Sequence, residues 1–293
     1  MPRLSAIVRT TALEMLSEPL SLLVLIAALS IEVLAPAFHY HQFGEPTRMA
    51  RDAGFSALFT CGTVLAVFST IRAFRREVES GTLEMALARP VSRTGFFLAK
   101  TLGAFVAYAV FAATVFATGL VMVAGAAIGG GIAAQTGDIA RIYGPCFAAG
   151  LGAIVVPLVL GAALNRFAQC RFVPTAFALS LVVSVASAAW FADLPLLARM
   201  APVATLVALA ATVPLAAAAA FSFRFGANAS AAACGIVVAV MLPAMGGYFL
   251  SDALSGGGSV SWGYVGLAAL ATAPAAAFFL VLGAGFIKGR DAA

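Results

Sequence analysis

The chain has 293 residues, 62% of them hydrophobic and only 10% charged, with a mean hydropathy of +1.04. Soluble domains carry about a quarter charged residues, so this composition excludes a soluble globule and makes lipid the solvent of most side chains. The formal net charge of +5 does not indicate nucleic acid, because the basic residues sit at the ends of apolar segments and no basic stripe interleaved with aromatics exists.

At the N-terminus, Leu4, Ile7, Val8, Thr11, Ala12 and Met15 recur at helical spacing, while Arg3, Ser5, Arg9 and Thr10 fill the other side. This predicts an interfacial amphipathic helix over residues 1–17. It is not read as a cleavable signal, since the first uninterrupted apolar run starts only near Pro19 and no small-residue cleavage site follows.

A membrane span needs about 20 predominantly apolar residues. The chain offers about eight such segments, at 19–38, 54–74, 101–128, 143–164, 172–191, 201–223, 229–250 and 263–287, which predicts an all-α polytopic helix bundle. An even count puts both termini on one side. With that side cytoplasmic, every basic residue except Arg48, Arg51, Arg141 and Arg199 lies inside, as expected in a bacterial-type cytoplasmic membrane. After Phe191 the Ala-rich runs and Pro214 allow a short, broken or re-entrant segment, and six spans is the alternative count. No soluble domain can be cut out between the spans, so residues 1–293 read as one transmembrane domain.

Within these segments, Ala148, Ala149, Gly150, Gly152 and Ala153 allow close helix approach or serve as lipid-facing filler. The clusters Gly129 to Gly131 and Gly256 to Gly258 read as flexible turns in outer loops. Cys61, Cys146, Cys170 and Cys234 lie far apart and read as buried, inert thiols. His39 and His41, with Glu45 nearby, offer too few ligands for a firm metal site. Glu32 is the one acid well inside an apolar run, which makes it a functional candidate. A structural pairing with Arg48 or Arg51 is the favoured role, and a substrate or proton role the alternative.

The most specific segment is the polar insertion 71–100, IRAFRREVESGTLEMALARPVSRTGFFLAK. Its first part continues the second span, with Arg72, Arg75 and Arg76 spaced toward headgroups and Glu79 within helical pairing distance of Arg76. Gly81 suits a helix C-terminus. Thr82 suits an N-cap, with Glu84 in the first turn of a short helix that carries Leu83 and Leu87 on one face and ends at Pro90. Ser92 caps the next helix, which runs through Arg93, Phe96, Phe97 and Lys100 into the third span. The segment therefore predicts an elbow of helix, short crosswise helix and helix. An ordinary charged connector is the plainer reading.

Nucleotide hydrolysis by this chain itself is not expected. A P-loop requires G-x-x-x-x-G-K followed by Ser or Thr, and neither Lys100 nor Lys288 is preceded by glycine in that pattern.

From Glu77 to Lys100 the insertion matches E-x-E-x-G-T-L-x-x-x-L-x-x-P-V-S-R-x-x-F-x-x-x-K and resembles the cytoplasmic loop of the membrane subunits of type-two ABC exporters. Two differences stand out: the common core of that family has six spans, and the usual second leucine region reads Met85-Ala86-Leu87-Ala88 here. The resemblance implies a permease in which 71–100 is a coupling loop seated on a separate ABC ATPase subunit. The coupling residues it implies are Glu77, Glu79, Ser80, Gly81, Thr82, Leu83, Leu87, Pro90, Val91, Ser92 and Arg93. Leu83 and Leu87 would make apolar contact, Glu77 and Glu79 would meet basic residues, and Gly81 and Pro90 would fix the bends. It implies no cofactor in this chain, with ATP and Mg held by the ATPase, and a second copy of this permease or a related one as partner. An ion-coupled secondary transporter and a non-transporting membrane scaffold driven by an ATPase are the alternatives. The scarcity of intramembrane acids weighs against the former.

Overall fold

The computed structural model describes residues 2–35, 46–79, 92–136, 139–246 and 260–288. Among the described residues the regular secondary structure is α-helix, without a strand, and short turns join the helices. Lipid offers no partner for backbone N–H and C=O groups, so an apolar chain satisfies them within each helix. In chain order the helices among the described residues are α1 (Pro2–Leu16), α2 (Pro19–Leu34), α3 (Pro46–Glu79), α4 (Arg93–Thr136), α5 (Ile139–Ala168), α6 (Phe172–Phe191), α7 (Leu194–Phe221), α8 (Ala227–Gly246) and α9 (Trp262–Lys288).

Each expected span falls on a helix, but not every helix is long enough to cross alone. Six helices, α3, α4, α5, α6, α7 and α9, meet the length and hydropathy of a membrane span. The 16 residues of α2 rise about 24 Å, short of the roughly 30 Å hydrocarbon core. It passes only together with α1, from which it is bent by 63°. The apolar part of α8 is likewise short, Ala227–Met241. The count among the described residues is therefore six, or seven with the bent pair as one span.

Two expected interruptions are helical instead. α7 runs unbroken through Pro202 and Pro214, since neighbouring helices in a bundle can re-satisfy the backbone groups that proline frees. α4 continues to Thr136 through Gly129 to Gly131, where a loop was expected. Gly256 to Gly258 lie outside the described residues.

The core sits between α3, α4 and α7. Leu58, Leu65, Phe74, Phe97, Phe111 and Leu215 are fully buried there, and Ala216 to Ala220 are buried to the last atom. α2 adds Leu25, Ala28 and Leu29 to the same cluster. By contrast α5, α6 and α9 turn much of their surface outward, with Val159, Val182, Leu270 and Val281 exposed. In water such faces would drive aggregation; in a bilayer they are solvated.

The N-terminal helix has the expected amphipathic arrangement, with Thr11, Ala12 and Met15 buried and Arg9 and Thr10 exposed. It packs closely on α4 at Gly103, where a Cβ would come within 2.6 Å of the Val8 carbonyl oxygen and 2.7 Å of Thr11 Cβ. Of the small residues expected to favour close packing, Gly150 does so against Val33 and Met122, whereas Gly152 faces open space. Cys61, Cys146 and Cys234 are buried; Cys170 is exposed, contrary to expectation, because it lies in the short turn between α5 and α6.

Candidate functional site

A charged junction forms where α1, α2 and α3 meet, and Pro19 creates it. A residue preceding proline is pushed out of the helical region, and Glu18 adopts φ −74° and ψ 133°, with Pro19 opening α2. The bend carries the Glu18 carboxylate, only 5% exposed, against the end of α3. There Arg76 Nη2 donates to Glu18 Oε1 at 2.8 Å, Arg72 Nη1 lies 3.6 Å from Glu18 Oε2, and Arg76 Nη1 reaches Glu14 Oε1 at 3.2 Å. Beside them Ser21 Oγ donates to the Met15 carbonyl at 2.6 Å and lies 3.2 Å from Ser69 Oγ.

The two helices that flank residues 80–91 are tied to each other as well. Glu77 Oε1 of α3 lies 2.6 Å from Nζ of Lys100, a side chain of α4 that is 1% exposed. The ammonium also sits 5.2 Å from the centre of the Phe74 ring, an attraction that strengthens away from water. Phe74, Phe97 and Phe223 pack edge to face against one another, with centroids 5.3 to 6.1 Å apart. Arg75 completes the set: its guanidinium binds Glu79 at 2.8 Å and donates to the Phe225 carbonyl, just after α7, at 3.2 Å.

Four of the residues assigned to coupling are described. Glu77 turns inward to Lys100, Glu79 is exposed and paired with Arg75, and Ser92 Oγ accepts the Gly95 N–H at 3.1 Å as Arg93 begins α4. Ser80, Gly81, Thr82, Leu83, Leu87, Pro90 and Val91 lie outside the described residues, as do His39, His41 and Glu45. The expected partner of Glu79 was Arg76; the structure gives it Arg75, four residues back on the same face, and turns Arg72 and Arg76 to the acids of α1 and the bend. Sequence reasoning missed Glu14 and Glu18. Their i, i+4 spacing just before a proline, matched by the i, i+4 spacing of Arg72 and Arg76, was the available signal.

Glu32 is placed differently from expectation. It is 1% exposed on α2, and neither carboxylate oxygen has a hydrogen-bond partner among the described residues. Arg48 and Arg51 do not form the expected ion pair with it; their Nε atoms lie 3.8 and 3.2 Å from Asp52. Gly54 and Gly119 frame the carboxyl, and a Cβ on them would lie 3.3 and 3.1 Å from Oε1. Glu32 and Arg51 line one small cavity with Phe55, Leu58, Phe116 and Met200.

A bundle of apolar helices with outward-facing hydrocarbon and charge gathered at one junction defines a polytopic integral membrane protein. Residues 12–187, more than half of the chain, match the family described as ABC-2 family transporter protein. The chain belongs to that family and is a permease of the ABC-2 type. The matched segment runs from within α1 to within α6 and contains the charged junction, residues 80–91 and Glu32. No curated protein and no solved structure matches the chain.

Proposed function

We propose that this permease is the membrane-spanning half of an ATP-driven exporter, coupled through residues 71–100 to a separate ABC ATPase that holds ATP and Mg. Two copies, or one copy and a related permease, form the pathway, with both termini and the loop on the cytoplasmic side of a bacterial-type membrane. The observation that carries the reading is the attachment of the loop's flanks. A displacement of residues 80–91 reaches α1 and the α1–α2 bend through Arg72 and Arg76, the start of α4 through Glu77 and Lys100, and the end of α7 through Arg75.

ATP binding shifts the permease between packings only if the ATPase seats differently on the two states. Leu83 and Leu87 supply apolar contact in the ATPase cleft, Gly81 and Pro90 set the bends, Thr82 and Ser92 cap the helices of the elbow, and Ser80, Val91 and Arg93 belong to the same coupling segment. Of the two acids, Glu79 is 61% exposed and is the one offered to the ATPase. Glu77 anchors the loop to α4. The test is Glu79→Arg combined with Gly81→Leu: ATPase co-purification falls and substrate-stimulated ATP hydrolysis in reconstituted vesicles drops toward that of the free ATPase. If both stay at the wild-type level, the coupling assignment is wrong.

A further inference from the structure

Arg166 and Arg171 stand apart from the charged junction. There the arginines are matched by acids, Arg72 and Arg76 at Glu14 and Glu18 and Arg75 at Glu79. Arg166 and Arg171 flank the turn from α5 to α6, are exposed, and form no ion pair among the described residues. The sequence holds no acid between Asp138 and Asp193, so neither helix answers their charge from within. The turn itself is fixed in shape. Gln169 takes a φ of 53°, a backbone region uncommon outside glycine. Asn165 Nδ2 donates to the Cys170 carbonyl at 2.7 Å, and Thr175 Oγ1 to the Arg171 carbonyl at 2.7 Å. An exposed apolar face leads up to the turn. Val155, Val159 and Arg166 follow at intervals of four and seven residues, and Val156, Leu160 and Phe167 repeat them one position on, so all six share one side of α5. All six are exposed, Phe167 at 87%.

We propose that this face of α5 and the α5–α6 turn bind an anionic phospholipid. α4 and α5 each have the length and hydropathy of a span, so the turn lies at head-group level on the side of residues 80–91. Unmatched positive charge above an apolar strip is the complement of a lipid with an anionic head. The guanidinium groups of Arg166 and Arg171 supply charged donors to the phosphate, and an acyl chain lies along Val156, Leu160 and Phe167. Phosphatidylcholine carries the same phosphate, but its own ammonium cancels the charge that the arginines answer. Free phosphate has no hydrocarbon for the strip. A second copy placed on this face by a twofold axis normal to the membrane would set the same unmatched arginines against each other. The binding does not depend on the export reading above.

The experiment titrates the full chain in detergent with dioleoyl phosphatidylglycerol or dioleoyl phosphatidylcholine and counts bound lipid by native mass spectrometry. Phosphatidylglycerol binds at least about fivefold more tightly, as expected when two basic side chains meet an anionic head group. Arg166→Gln combined with Arg171→Gln removes that preference. The substituted side chains are exposed, so the unfolding temperature is expected to hold; should the double variant not assemble, either single variant carries the test by lowering the preference. Arg224→Gln removes an equally exposed arginine from the turn between α7 and α8 and leaves the preference intact. Leu160→Ala combined with Phe167→Ala weakens phosphatidylglycerol while the arginines remain. Equal binding of the two lipids to the unaltered chain overturns the proposal, and so does a preference that survives loss of the arginines. A loss as large in Arg224→Gln would reduce the effect to general surface charge and overturn the site. Displacement of phosphatidylglycerol by excess inorganic phosphate, or no effect of the strip variant, would show an anion contact without a lipid site.

Discussion

Nζ of Lys100 lies 2.6 Å from Oε1 of Glu77, joining the last turns of α3 to the first turns of α4 around the segment that separates them. The lysine is almost wholly enclosed, so removing its partner strands a charge. Breaking a buried pair costs about 3 kcal/mol or more. Glu77→Gln and Lys100→Met are each expected to lower the unfolding temperature in detergent. The double variant regains a large part of the loss, because the site then holds no uncompensated charge. An additive loss in the double variant would show that the two residues act separately.

The Glu18 and Arg76 pair is weaker, because the arginine side chain is 60% exposed. A double-mutant cycle with Glu18→Gln and Arg76→Gln should return a coupling of about 1 kcal/mol or less. Raising the salt concentration to about 1 M shrinks the Debye length to roughly 3 Å and should reduce that coupling further, as measured by chemical unfolding.

Gly103 sets how closely α1 can lie on α4. In Gly103→Ala the new methyl meets the Val8 carbonyl oxygen, a backbone atom that moves only with its helix. Overpacking of this kind costs about 1–3 kcal/mol, and the strain is relieved by lifting α1. Maleimide labelling of Met15→Cys, in a chain whose exposed Cys170 is replaced by Ser, should therefore speed up when Ala stands at 103. Unchanged labelling would mean that the contact is not limiting.

Ser92 caps the helix that leaves the loop. Ser92→Ala loses the bond to the Gly95 N–H and should cost about 1 kcal/mol; Ser92→Asp should retain most of it. Hydrogen exchange at the amides of residues 93–96 reads the difference directly. Faster exchange in the Ala variant alone is the expected result.

Much of this protein was legible before any coordinates. Hydropathy placed each helix that α2 to α9 supply, because a span is a local property: one run of side chains must face lipid, whatever lies beside it. The polar insertion and its family pattern were equally local, since Glu77, Gly81, Pro90 and Ser92 sit at fixed offsets along one stretch of chain. Span length was less legible, because hydropathy marks where apolar residues begin and end but not where a helix bends, as α1 and α2 do at Glu18.

What the tertiary structure alone decided is which charges meet. In the sequence Arg76 had Glu79 close by, yet in space it faces Glu14 and Glu18, 62 and 58 positions away. Glu32 had Arg48 and Arg51 as expected partners, yet Asp52 takes their Nε atoms and the carboxyl lies enclosed between Gly54 and Gly119. An apolar residue needs only an apolar environment, which a bilayer provides at every point around a helix. A charge needs one particular partner at about 3 Å, and only the packing of α1, α2, α3 and α4 fixes which residue that is.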